Sequence, residues 1–214
     1  MLKALRNSLI VLALTVLLVG FAFPALVTFA AGRLFPAESR GSLVMKDGAP
    51  VGSALIAQDW TFARYIQGRA SANEGGANNA MISGAGNAGP ASIELYETTG
   101  ERAKELRKAN PDSPEAVPQD LATTSGSGLD PHVTPEAALW QAPRVAKIRS
   151  VKTEDVERLI RENTEKPFLG FLGEPRVNVL RLNMELDRLY PVKAVPVKKK
   201  APSKPKKRYR KRKQ

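Results

Sequence analysis

The sequence predicts an α+β domain tied to a membrane by one N-terminal helix and followed by a basic tail. Three observations lead there. An uncharged, mostly apolar run fills Asn7 to Gly32. Short strand-like and helix-like segments mix over Arg33 to Tyr190, a length sufficient for one domain with its own core. Pro191 to Gln214 holds twelve Lys and Arg and no acid.

The apolar run predicts a membrane anchor by length. Its 26 residues span about 39 Å as a helix, against a hydrocarbon core of about 30 Å. Pro24 predicts a kink, which a membrane helix tolerates where the freed carbonyl finds another partner. A cleaved secretory signal is the competing reading, with Lys3 and Arg6 as its basic region. The run exceeds the usual apolar core of such a signal, and this favours an uncleaved anchor. Arg33 and Arg40 follow the run, offset by Glu38, so flanking charge leans only slightly toward a cytoplasmic N-terminus.

Composition excludes several chemistries. Cysteine is absent and His132 is the single histidine, which rules out disulfides, thiolate metal sites and histidine clusters. The net charge of +12 resides in the tail, because the first 190 residues balance to zero. The tail (191–214) cannot build a core and is expected to be disordered. Such a run binds polyanions through counterion release.

Within the domain (33–190), Gly41 to Gln58 reads as paired strands around the Asp47-Gly48 turn. Ser71 to Gly89 is rich in Gly, Asn and Ala and reads as a long surface loop. Ala91 to Ala109 reads as a helix with Ile93, Tyr96, Ala103 and Leu106 on one side, stopped by Pro111 and Pro114. Thr134 and Pro135 open a short helix that Pro143 interrupts. Thr153 is placed as the cap of a helix whose Val156, Leu159 and Ile160 share a face. Arg176 to Leu182 reads as a strand, with Asn183 capping a last helical turn.

Two motifs invite enzymatic readings that their context opposes. Gly84, Gly86 and Gly89 spell G-x-G-x-x-G, yet no apolar strand feeds them and Pro90 follows. A turn exploiting positive φ is the better account. Ser125, Ser127, Asp130 and His132 supply hydrolase residue types, but adjacency in sequence is not triad geometry. Asp130-Pro131 reads instead as a turn in which His132 bonds locally. Gln141 and Arg144, three residues apart, read either as a solvated helix face or as a polar partner-contact patch.

Four segments together resemble the KdpC family: S-A-N at 71–73, S-G-A-G-N-A-G-P at 83–90, T-S-G-S-G-L-D-P-H-V-T-P-E-A-A-L-W-Q-A-P-R-V-A at 124–146, and L-G-E-P-R-V-N-V-L-R-L-N at 172–183. G-S-A-L-I-A-Q and Y-I-Q-G-R-A-S-A add to it, departing from the family pattern at Ala57 and Ala70, and Gly86 replaces a usual serine. The resemblance implies a non-catalytic accessory subunit of a potassium-transporting P-type ATPase in the inner membrane. Its N-terminus would be cytoplasmic and its domain extracytoplasmic.

The partners so implied are the P-type ATPase subunit and a channel-like potassium-binding subunit, with the lipid bilayer around the anchor. The family is also described as a catalytic chaperone that raises the ATP affinity of the ATPase subunit. No cofactor is expected on the chain itself, and ATP enters only through the complex, although a nucleotide role attaches to Gln141 by resemblance. Ser127, Asp130, His132, Gln141, Arg144, Asn178 and Asn183 are the candidate partner-contact residues. With the tail on the same side as the domain, anionic lipid or an envelope polyanion suits it better than nucleic acid.

Overall fold

The computed structural model describes residues 1–73 and 79–192. The apolar run is helical from Leu2 to Leu34 and long and apolar enough to cross a membrane, and none of its most apolar stretch is buried against the rest of the protein. It comprises α1 (Leu2–Thr15), a π-helical stretch (Val16–Ala22) and α2 (Phe23–Leu34). The widened turns lie directly before Pro24, whose ring would crowd the Gly20 carbonyl in a regular α-turn. The helix thereby continues through its proline.

A short turn at Glu38–Arg40 leads into an antiparallel hairpin, β1 (Leu43–Lys46) and β2 (Ala49–Ser53). Asp47 (φ 50°) and Gly48 (φ 79°) both occupy the left-handed region, as a two-residue type I′ turn requires. The predicted turn is present at the predicted place.

The domain core forms where four helices meet a three-stranded antiparallel sheet. The helices are α5 (Pro135–Trp140), α6 (Ala142–Arg149), α7 (Thr153–Glu162) and α8 (Val179–Leu189). The sheet runs in the order β3 (His132–Val133), β5 (Arg176–Asn178), β4 (Thr164–Glu165). Ile66, Val145, Val156, Ile160, Val177, Leu182 and Leu186 are completely buried between them. Two further helices, α3 (Ile93–Ala109) and α4 (Gln119–Ala122), flank this core.

Local signals explain most boundaries. The Thr134 hydroxyl accepts from Ala137 N–H at 3.1 Å, Pro135 occupies the first helical position, and the helix breaks at Gln141 ahead of Pro143. Val156, Leu159 and Ile160 are buried on one face of α7. That helix is not capped by Thr153, which is already helical; Lys152 takes the cap position without a side-chain bond.

Three expectations need correction. In α3 only the C-terminal half packs, through Leu106, while Ile93 and Tyr96 are 75% and 83% exposed. Arg176 to Leu182 is a strand only as far as Asn178. Asn178 Oδ1 accepts from Arg181 N–H at 3.1 Å and starts α8, so Val179, Leu182 and Leu186 share a helical face. Asn183 therefore lies inside α8 and caps nothing. In the segment 71–89 the described residues carry no helix or strand, in line with a loop; 74–78 lie outside the described residues. From residue 193 on, the tail also lies outside them.

Candidate functional site

Residues 63–67 pack against the helices as irregular chain with Ile66 buried, and buried peptide groups there must find partners. Side chains supply them. Asn183 Oδ1 accepts from Ile66 N–H at 2.9 Å while its Nδ2 donates to Ile66 O at 2.8 Å. Gln141 does the same for the next residue, accepting from Gln67 N–H at 2.9 Å and donating to Gln67 O at 3.0 Å. Each amide imitates one rung of a β-ladder. Arg144 donates to Ala63 O, and Arg149 Nε donates to Arg64 O at 3.0 Å.

The remaining capacity of these side chains is spent nearby. Gln141 Nε2 also donates to Ala137 O, and its Oε1 accepts from Arg144 Nη2 at 2.8 Å. All four bonding positions of this amide are filled, and the residue has no exposed surface. Arg144 Nε donates to Asn110 Oδ1 at 2.6 Å, so among the described residues its hydrogen-bond partners are all neutral. Burial pushes its guanidinium down to about 10, which leaves it charged at neutral pH. Gln141 and Arg144 are thus interior fasteners, and the expectation of a solvated helix face is corrected: the break at Gln141 turns both side chains inward.

Arg149 closes the far end of the clasp. Its side chain is inaccessible, donates to Leu186 O and Tyr190 O at 2.9 and 2.7 Å, and pairs with Asp187 at 3.0 Å. The Tyr65 hydroxyl donates to the same carboxylate at 2.8 Å. Burial and then this bond push the Tyr65 hydroxyl above its ordinary range.

A second polar group surrounds Asp130. Its carboxylate pairs with Arg69 at 3.1 Å and accepts from His132 N–H at 3.0 Å. Burial raises the Asp130 carboxyl, but the His132 ring and backbone together with Arg69 outweigh it and hold the group below the usual range. His132 Nδ1 lies 3.7 Å from Asp130 and its Nε2 lies 3.4 Å from Asn178 Nδ2. Asn178 also donates to Ala54 O at 2.8 Å.

The third group joins the glycine-rich segment to the serine turn. Ser127 O accepts from Gly84 N–H at 2.9 Å and from the Ser83 hydroxyl at 3.2 Å. Asn73 Nδ2 donates to Ile82 O at 2.7 Å. Ser125 and Ser127 bond within their own turn, accepting from Gly128 and Leu129 N–H. The serine hydroxyls are thus engaged inside the turn, while the two His132 nitrogens face Asp130 and Asn178. Gly84, Gly86 and Gly89 do not adopt positive φ, contrary to expectation, whereas Asn87 does (φ 51°). Among the described residues, no cluster of three or more His, Asp or Glu is placed to hold a metal.

The fold therefore gathers the candidate residues into two places. Gln141, Arg144 and Asn183 belong to the clasp on 63–67; Asp130, His132 and Asn178 belong to the Arg69 group, with Ser127 in the adjoining turn. Sequence reading missed Arg69, Arg149 and Asn110. Arg69 sits in the quoted Y-I-Q-G-R segment, but no spacing pattern tied it to Asp130, 61 residues away.

The family described as "KdpC: K+-transporting ATPase, c chain" matches residues 5–188. A protein of Polaromonas naphthalenivorans named "Potassium-transporting ATPase KdpC subunit" is 48% identical over 190 residues, covering 89% of this chain and 97% of the relative. Relatives of the same name from Nitratidesulfovibrio vulgaris and Klebsiella pneumoniae are 48% and 45% identical, covering 88% and 86% of this chain and 96% and 97% of their own lengths. With a match across almost all of the anchor and domain, this chain belongs to the KdpC family.

Proposed function

We propose that the chain is the accessory subunit of an ATP-driven potassium uptake complex. It is anchored by Leu2–Leu34 with its N-terminus in the cytoplasm and its domain on the opposite face. Its relatives are named as subunits of a potassium-transporting ATPase, and their names cover the same span of chain. The observation that supports a non-catalytic role is that Gln141, Arg144 and Asn183 hold 63–67, while the Ser125 and Ser127 hydroxyls bond within their own turn and Asp130 pairs with Arg69. The domain then serves as a stiff block that stabilises the assembly of the P-type ATPase subunit and the channel-like potassium-binding subunit.

Any effect on ATP affinity follows from the same rigidity. A subunit that binds no nucleotide shifts its partner only by contacting one conformation better than another. Gln141 fits that role as a residue that positions the 63–67 segment, since its amide is already saturated. The test is a mild-detergent purification of the tagged full chain from potassium-starved cells. Co-elution with a P-type ATPase and a large polytopic subunit is expected. Elution alone overturns the proposal.

A further inference from the structure

The segment 166–176 absorbed none of the function above, yet it exposes four large apolar side chains within five residues. Between β4 and β5 the chain turns back on itself at Phe168–Leu172, with Phe168 N–H donating to Leu172 O and Leu172 N–H to Phe168 O, both at 2.9 Å. Leu169 (φ 54°), Gly170 (φ 83°) and Gly173 (φ 94°) hold the turn in left-handed conformations. Phe168, Leu169, Phe171 and Leu172 stand 68%, 72%, 78% and 60% exposed. A left-handed leucine is costly, so a turn kept by paired backbone bonds with four large apolar side chains in water calls for a use.

The occupant follows from where this turn is rooted. The membrane anchor enters the domain through eight residues, Phe35 to Ser42, spanning at most about 28 Å even when extended. Ser42 O accepts from Ala54 N–H at 3.0 Å, and Ala54 O accepts from Asn178 Nδ2 at 2.8 Å. Arg176, the base of the turn, lies two strand residues from Asn178, about 7 Å along β5. The apolar turn therefore springs from the part of the domain next to the anchor's entry. Leu43 and Leu55, which flank the Ser42–Ala54 link, are themselves 53% and 61% exposed.

We infer that Phe168, Leu169, Phe171 and Leu172 form a wedge that inserts into the membrane interface as a second attachment of the domain. Lipid is favoured over a protein pocket by shape and chemistry. The four side chains are exposed around a projecting turn and present no flat face, and a fluid phase accommodates that shape. They are Phe and Leu, where an interface anchor draws more on Trp, Tyr and Arg. Lys166 and Arg176 stand at the base with Glu174; Glu165 is engaged by Arg176 and Arg181. Counting Arg181, three cations stand against Glu165 and Glu174, a surplus of one, and the long Lys166 side chain at the base can reach toward headgroups.

The inference rests on Leu2–Leu34 spanning the bilayer, and the test separates the two claims. The chain has no cysteine, so Leu169→Cys, Leu17→Cys and Tyr96→Cys each accept a single nitroxide label. Each labelled full chain is placed alone in nanodiscs of phosphatidylethanolamine and phosphatidylglycerol, and collision with oxygen is compared with collision with a water-soluble nickel chelate. Labels at 17 and 169 are expected to favour oxygen, and the label at 96 to favour nickel. A lipid-buried label at 17 with an aqueous label at 169 overturns the wedge while keeping the anchor. Aqueous labels at both positions overturn both. A label at 169 that is aqueous in the chain alone but shielded in the assembled complex assigns the turn to a partner subunit and overturns the lipid reading.

Discussion

Asn183 and Ile66, separated by 117 residues, are joined by two hydrogen bonds that pair one buried side-chain amide with one buried peptide group at 2.9 and 2.8 Å. Gln141 repeats the arrangement on Gln67. An irregular segment can pass through a protein interior only if its peptide groups are paired, and here two amides take the place of a neighbouring strand. Asn183→Leu keeps the volume but strands one donor and one acceptor. A loss of about 2–5 kcal/mol is expected, read as a lowered urea midpoint of the full chain in detergent.

Gln141→Ala removes the second rung and one partner of Arg144. A loss of about 2–4 kcal/mol is expected by the same reasoning. Calorimetric titration with ATP is expected to give no binding heat for the parent chain. Binding by the parent that Gln141→Ala abolishes at unchanged stability would instead place the nucleotide on this residue.

The Asp130 carboxyl titrates below its ordinary value of 3.8 in the folded chain. Its folded pKa is lower than its unfolded one, so the folded state holds fewer protons as pH falls through this window. The stability it contributes is complete above about pH 3.8 and is lost as pH drops through the depressed folded value. Asp130→Asn is expected to flatten the acid limb of urea midpoint against pH.

Gly128 and Gly126 make a matched pair. Gly128 has φ +69°, and a Cβ there would lie 2.4 Å from Asn73 Nδ2, while a Cβ on Gly126 meets nothing within 4 Å. Gly128→Ala is expected to cost at least about 1–2 kcal/mol from backbone strain alone, and to displace Asn73. Gly126→Ala is expected to stay within about 0.5 kcal/mol of the parent. Thermal midpoints of the two variants decide it.

The family match ends at residue 188, before the basic run begins. Deleting 191–214 is therefore expected to leave co-purification of the complex intact. Lost co-elution in the truncated chain would make the tail part of the interface.

Several elements were legible in advance from one local rule. The Asp47-Gly48 hairpin, the Thr134-Pro135 helix start and the break before Pro143 each follow from residue types within a few positions. So does the buried face of α7. One error arose where two local rules competed. Val177 to Leu182 satisfies a strand's alternation up to Asn178 and a helix's spacing after it, and only the Asn178 cap decides between them. The exposed N-terminal half of α3 was misread because an apolar stripe does not tell whether anything lies opposite it.

The sequence by itself determined the apolar span, the α+β character, the absence of cysteine and of a histidine cluster, and membership of a family through residues spread over the whole domain. These depend on composition and on near neighbours. Only the tertiary structure decided what the polar residues of those segments do. Gln141, Arg144 and Asn183 have the makeup of a surface patch, yet they are buried because residues 63–67, far away in the chain, bring bare peptide groups that must be paired. Likewise the exposure of Phe168, Leu169, Phe171 and Leu172 is set by the fold and not by their apolar character. Whether a side chain meets solvent or a distant peptide is set by long-range packing, which no short-range pattern encodes.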